Sequence, residues 1–133
     1  MDKKILDRIK QVRMSAGIPV HRLALSSGLS SVSICNIEAG HIPSMKNLAK
    51  ILNALDLHIN EKLFLSRLKT KRKTLAITLE KMARISGVSV SVIHQIEQDV
   101  LPSTKTCCII AKELDLPLIE LIEWPIEKNS QKE

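Results

Sequence analysis

Aromatic residues are almost absent from this chain: there is one phenylalanine, Phe64, one tryptophan, Trp124, and no tyrosine. With β-branched residues scattered at helical spacing and not alternating, little is left from which to build a sheet, and the sequence predicts an all-α fold. Cysteine is scarce too. Cys35, Cys107 and Cys108 are odd in number and lack paired ligand spacing, which argues against both a disulfide framework and a zinc site. No apolar run approaches the roughly 20 residues a membrane span needs, and the opening residues lack the apolar stretch of a signal peptide. A cytoplasmic location without a membrane partner is therefore expected. Missing as well are a nucleophile beside a base, a glycine-rich phosphate loop and any metal-ligand spacing, and the four histidines stand apart. Neither an enzyme nor a cofactor is expected.

What the chain does have is 44% hydrophobic residues, enough for packed cores, and a net charge of +6 from 20 basic against 14 acidic side chains. That balance favours a polyanionic partner such as nucleic acid. It also has an internal repeat. Gly28-Leu29-Ser30 aligns with Gly87-Val88-Ser89, Ile37-Glu38 with Ile96-Glu97, and Pro43-Ser44 with Pro102-Ser103, always at an offset of 59. Held without a gap over residues 2–57 against 61–116, that offset makes 20 of 56 pairs identical, where chance gives roughly four.

Each unit of about 60 residues holds several short helical patterns broken by turn signals, which is the content of a minimal domain and more than one solenoid repeat. Two domains are expected, residues 1–60 and 61–125, followed by a polar tail at 126–133 expected to be disordered. In the first unit Ile5, Leu6, Ile9 and Val12 mark one face of an opening helix that stops near Gly17. Pro19 suits the first turn of a second helix, closed by Gly28. Ser30 is placed to cap a third helix with Ile34 and Ile37 inward, and Ser44 starts a fourth. Thr78, Ser89 and Ser103 repeat these roles, with Ile93 and Ile96 inward. Residues 60–73 carry no Gly or Pro, so a shared helix of about 14 residues, roughly 21 Å long, is expected to join the units.

A helix, a short glycine-containing turn and a second short helix form the arrangement that lays one helix in the major groove while its partner crosses the backbone. Both units contain it. The spaced set Gly28-Leu29-Ser30, Ile34, Ile37-Glu38, Gly40, Pro43-Ser44 and Leu48-Ala49-Lys50-Ile51 resembles the XRE-type helix-turn-helix family of phage repressor and Cro proteins. Gly87-Val88-Ser89, Ile93, Ile96-Glu97, Pro102-Ser103, Ile110-Ala111-Lys112 and residues 118–121 repeat the resemblance. It implies two repressor-like domains of four to five short helices each and a transcriptional regulator, such as a repressor, that binds double-stranded DNA.

The resemblance further implies that the early part of each third helix faces base edges: Ser31, Val32, Ser33 and Asn36 in the first unit, Val90, Ser91, Val92 and Gln95 in the second. Asn and Gln pair bidentately with adenine, Ser donates or accepts, and Val meets the thymine methyl. Lys10, His41 and Lys46 lie at helix ends flanking the recognition helix, the run Lys69, Lys71, Arg72, Lys73 leads into the second unit, and Lys46 is the foremost candidate phosphate contact among them. Arg13 with Glu38, and Arg72 with Glu97, occupy positions where relatives form an internal ion pair between first and third helices. Two departures bear on function. Val20 and Leu79 stand where family members commonly carry Gln, and Val90, Val92 and Asp99 make the second unit's surface more apolar and add a negative charge. These motivate a role for the second domain in homodimer or protein-partner contacts. They also motivate an alternative for the whole chain: a protein-interaction module, whether antitoxin, antirepressor or adaptor, with weak or no DNA binding. Cys107 and Cys108 fit core positions matching Leu48 and Ala49, Cys35 falls on the third helix, and Trp124 either anchors the C-terminus on its own domain or makes a dimer contact.

Overall fold

Apolar residues at positions 5, 6 and 9 put one buried stripe on the opening segment, and the same stripe recurs at 64, 65 and 68. The computed structural model describes residues 3–125, and the expected polar tail at 126–133 lies outside them. Helix α1 (Lys3–Ser15) buries Ile5, Leu6 and Ile9, and is followed by a turn in which Gly17 takes left-handed φ. It is followed by α2 (Val20–Ser27), α3 (Ser31–Glu38) and α4 (Met45–Ala54). A two-residue strand, β1 (His58–Ile59), then leads into α5 (Glu61–Leu75), which opens the second unit as α1 opens the first. The plan repeats through α6 (Leu79–Ser86), α7 (Val90–Glu97) and α8 (Thr104–Glu113), and closes with α9 (Leu118–Leu121) and β2 (Ile122–Glu123).

Helix starts follow from local chemistry. Ser30, Ser44, Asn60, Thr78, Ser89 and Ser103 each sit in extended backbone just before a helix and accept a hydrogen bond from the amide three residues on. Each such cap satisfies one of the four amides a helix start leaves open and stabilises by about 1 kcal/mol. The short α9, preceded by Pro117, and the second helix of unit one lack such a cap. Pro19 occupies the N-cap of the latter, at φ −72° and ψ 159°, and not its first turn as expected, and it makes no side-chain cap. Proline's fixed φ suits extended backbone as well as helix.

Burial obeys the 59-residue offset. Ile34 and Ile93, Ile37 and Ile96, Ile51 and Ile110, and Leu55 and Leu114 are all buried. Burying one such side chain stabilises by about 1.5–3 kcal/mol. The two units do not keep separate cores, however. The buried side chains form one cluster running from Ile5 to Ile122, because α4 packs on α8 and α9 lies against α1. Strands were not expected, yet β1 and β2 pair antiparallel, His58 opposite Glu123 and Ile59 opposite Ile122, and the Asn60 amide donates to the Leu121 carbonyl at 2.7 Å. This pair ties the unit junction to the C-terminal segment. The helix expected to join the units is α5, at 15 residues, and it belongs to unit two, because β1 and the Asn60 cap separate it from α4.

Candidate nucleic-acid interface

The turn between α2 and α3 is built from three residues. Gly28 takes φ 76°, a left-handed conformation open to glycine at no steric cost, and its amide donates to the Ala24 carbonyl. Beneath it Ser27 is buried, with its hydroxyl donating to the Ala24 carbonyl at 3.2 Å and accepting from the Leu29 amide. Ser30 then caps α3. Unit two repeats the device: Ser86 is buried and donates to the Met82 carbonyl at 2.8 Å, Gly87 takes φ 71°, and Ser89 caps α7. Ser27 and Ser86 were missed by sequence reasoning, although their identity at the 59 offset was a usable signal.

With Ile34 and Ile37 turned inward, α3 presents Ser31, Val32, Cys35 and Asn36 to solvent, and Val32 is 68% exposed. Ser33, expected on the same surface, is half-buried, and its hydroxyl accepts from Ser30 within the cap. Lys46 is exposed in the first turn of α4. On α7, Val90, Ser91 and Gln95 are exposed, whereas Val92 is half-buried against the core. Val20 and Leu79 also pack against the core.

The two internal ion pairs join the helices expected. Arg13 Nε donates to Glu38 Oε2 at 2.6 Å and Nη2 to Oε1 at 3.0 Å, while Nη1 donates to the Ile18 carbonyl at 2.7 Å. The fork is satisfied on both sides, the geometry in which a desolvated pair holds together. Arg72 and Glu97 keep the charge contact at 2.6 Å between Nε and Oε1, but these atoms are not aligned as a hydrogen bond. Several other cations are partly neutralised. Lys69 pairs with Asp99 at 2.5 Å and Arg67 with Glu120 at 3.0 Å, so the negative charge that Asp99 adds is met within its own unit. The Lys3 side chain lies across Gly40, where any Cβ would come within 2.7 Å of it.

Trp124 anchors the C-terminal segment within the chain: its indole N–H donates to the Ile119 carbonyl at 2.8 Å, and its ring lies under Arg8 of α1, in the other unit, 4.8 Å from the guanidinium carbon to the ring centre. Cys35 is exposed. Burial pushes the Cys107 and Cys108 thiols up to about 12, in Cys107 with a smaller contribution from its neighbour, so both stay protonated at neutral pH. Among the described residues no group of side chains is arranged to hold a metal, and no helix is long and apolar enough to cross a membrane.

The chain matches one family model, helix-turn-helix, twice, over residues 9–62 and 68–121, so the matches start 59 residues apart. No similar curated protein and no similar solved structure was found.

Proposed function

The chain belongs to the XRE-type helix-turn-helix family, and from that premise we propose that it is a sequence-specific DNA-binding regulator that represses by blocking promoter access. Its modules are residues 1–60 and 61–125. The first places α3 in a major groove, with Asn36 on adenine, Val32 against a thymine methyl and Ser31 on a neighbouring base edge. Lys46 neutralises a flanking phosphate, and the uncapped start of α2 presents amides of the kind that favour anions. The observation that carries this reading is the outer face of α3: three side chains suited to base edges stand exposed on a short helix fixed by a cap, a left-handed glycine and a buried hydroxyl. Such rigid positioning is what base readout needs.

The interaction-module alternative loses most of its motivation. Of the four apolar residues behind it, Val20, Leu79 and Val92 pack against the core, and only Val90, at 39%, is exposed. A gel shift on the DNA upstream of the chain's own gene, at rising salt, tests the proposal. Affinity should fall steeply, by about 0.9 in log K per log unit of salt for each phosphate neutralised, and competitor DNA of unrelated sequence should compete poorly. Binding that lacks both salt dependence and sequence preference would overturn it.

A further inference from the structure

The offset of 59 carries α4, residues 45–54, onto α8, residues 104–113, and these two helices pack on each other. An element that meets its own repeat image is the mark of a twofold relation, since units related by translation bring unlike surfaces together. A second contact closes the arrangement. The segment ending unit two, α9, lies against α1, which opens unit one. The corresponding end of unit one runs without a break into α5, which opens unit two. Each unit's end thus meets the other's start, once through the chain and once through packing. Arg8 and its image Arg67 both hold the C-terminal segment, one over Trp124 and the other on Glu120.

The paired helices differ at matching positions. Where α4 buries Leu48, Ala49 and Leu52, α8 buries Cys107, Cys108 and Ala111. A contact between α4 and α8 is therefore not equivalent to one between two copies of either helix, and the contact present joins the two halves of one chain.

Resting on the DNA-binding reading of α3, we propose that one chain is a complete two-headed reader and that its duplex target is asymmetric, with two unlike half-sites in inverted order. A twofold repressor made of two chains reads an inverted repeat. Here the heads are related in the same way but differ in chemistry. The first presents polar then apolar residues, Ser31 and Val32; the second presents apolar then polar, Val90 and Ser91. The thymine-methyl contact consequently shifts by one position between halves, and Gln95 reaches one methylene further than Asn36 toward its adenine. Covalent linkage removes the dimerisation step, so site occupancy follows a single-chain binding curve.

The test is selection from a random duplex library with the full chain, as wild type, as Gln95→Ala, and as the combined variant Val90→Ser, Ser91→Val, Gln95→Asn. Val92 is left in place because it packs on the core. The wild type should enrich two unlike half-sites whose centres are about one helical turn, 34–36 Å, or a multiple of it apart. Each complex should contain one chain by native mass spectrometry. Gln95→Ala should relax the second half alone, and the combined variant should convert it to an inverted copy of the first. A single short site unchanged by either variant would overturn the two-headed reader while leaving α3 as a DNA head, and so would two chains per site. No enrichment with any protein would remove the DNA reading and this proposal together.

Discussion

The two units follow one plan with different local chemistry, and the differences fall where backbone or charge is under most demand. Four backbone positions take left-handed φ in both: 17 and 76, 28 and 87, 40 and 99, 56 and 115. Unit one uses glycine at the first three. Unit two keeps glycine only at Gly87 and holds Ala76 at φ 53° and Asp99 at φ 64°. The ion pair follows the same trend: Arg13 and Glu38 are 11% and 12% exposed and fully forked, while Arg72 and Glu97 are 28% and 20% exposed and misaligned. A duplicated fold can thus preserve its core spacing while one copy drifts at its strained positions, provided both copies share a core.

The largest expected effect comes from separating the two ion pairs. Glu38→Gln leaves Arg13 charged, little exposed and without its fork, and should destabilise by about 3–5 kcal/mol. Glu97→Gln, in the wetter and misaligned pair, should cost clearly less. Urea unfolding of both variants makes the comparison, and equal losses would mean that alignment and burial do not separate the pairs. Next, Leu52→Ala in α4 should cost about 2–5 kcal/mol. Because the core is continuous, unfolding should remain one transition, with Trp124 fluorescence and far-UV circular dichroism coincident. Two resolved transitions would mean that the units are energetically separate.

A smaller effect sharpens the backbone contrast. A residue with a Cβ in the left-handed region costs about 1–2 kcal/mol, and glycine's greater freedom when unfolded offsets about 0.5–1 of that. Ala76→Gly should therefore stabilise by about 0.5–1 kcal/mol, and Gly17→Ala should destabilise by a similar amount, both readable from thermal midpoints. The smallest perturbation is chemical: iodoacetamide at neutral pH should label Cys35 in the native protein and reach Cys107 and Cys108 only on unfolding. Native labelling of the buried pair would show that the core around α8 opens without global unfolding.

Features set by local rules were legible in the sequence. The serine and threonine caps at 30, 44, 78, 89 and 103, the turn glycines 28 and 87, and the inward isoleucines each depend on residues within four positions of one another. The family relation was legible from the same spaced set, and the partners of both ion pairs came from that resemblance. What could not be read is what a buried face meets. Leu48 and Leu52 announce an apolar stripe, but nothing in their spacing says that α4 packs on α8, its own repeat image. The strand pair was invisible because two residues carry no periodicity, and the Asn60 cap was hidden by its place within an uninterrupted helical pattern. Of the nine residues expected at the DNA surface, Ser33 and Val92 are half-buried, since at the inner edge of a short helix an angular step of one residue separates reading from packing.

The central claim is that α3 reads base edges, and Asn36→Ala tests it most directly. Fluorescence anisotropy would compare wild type and variant on the selected duplex and on a scrambled one at fixed salt. An adenine contact worth about 1–3 kcal/mol predicts a loss of roughly 5- to 150-fold on the selected duplex and almost none on the scrambled one. Equal affinity of wild type and variant for the selected duplex, or equal loss on both, would contradict it.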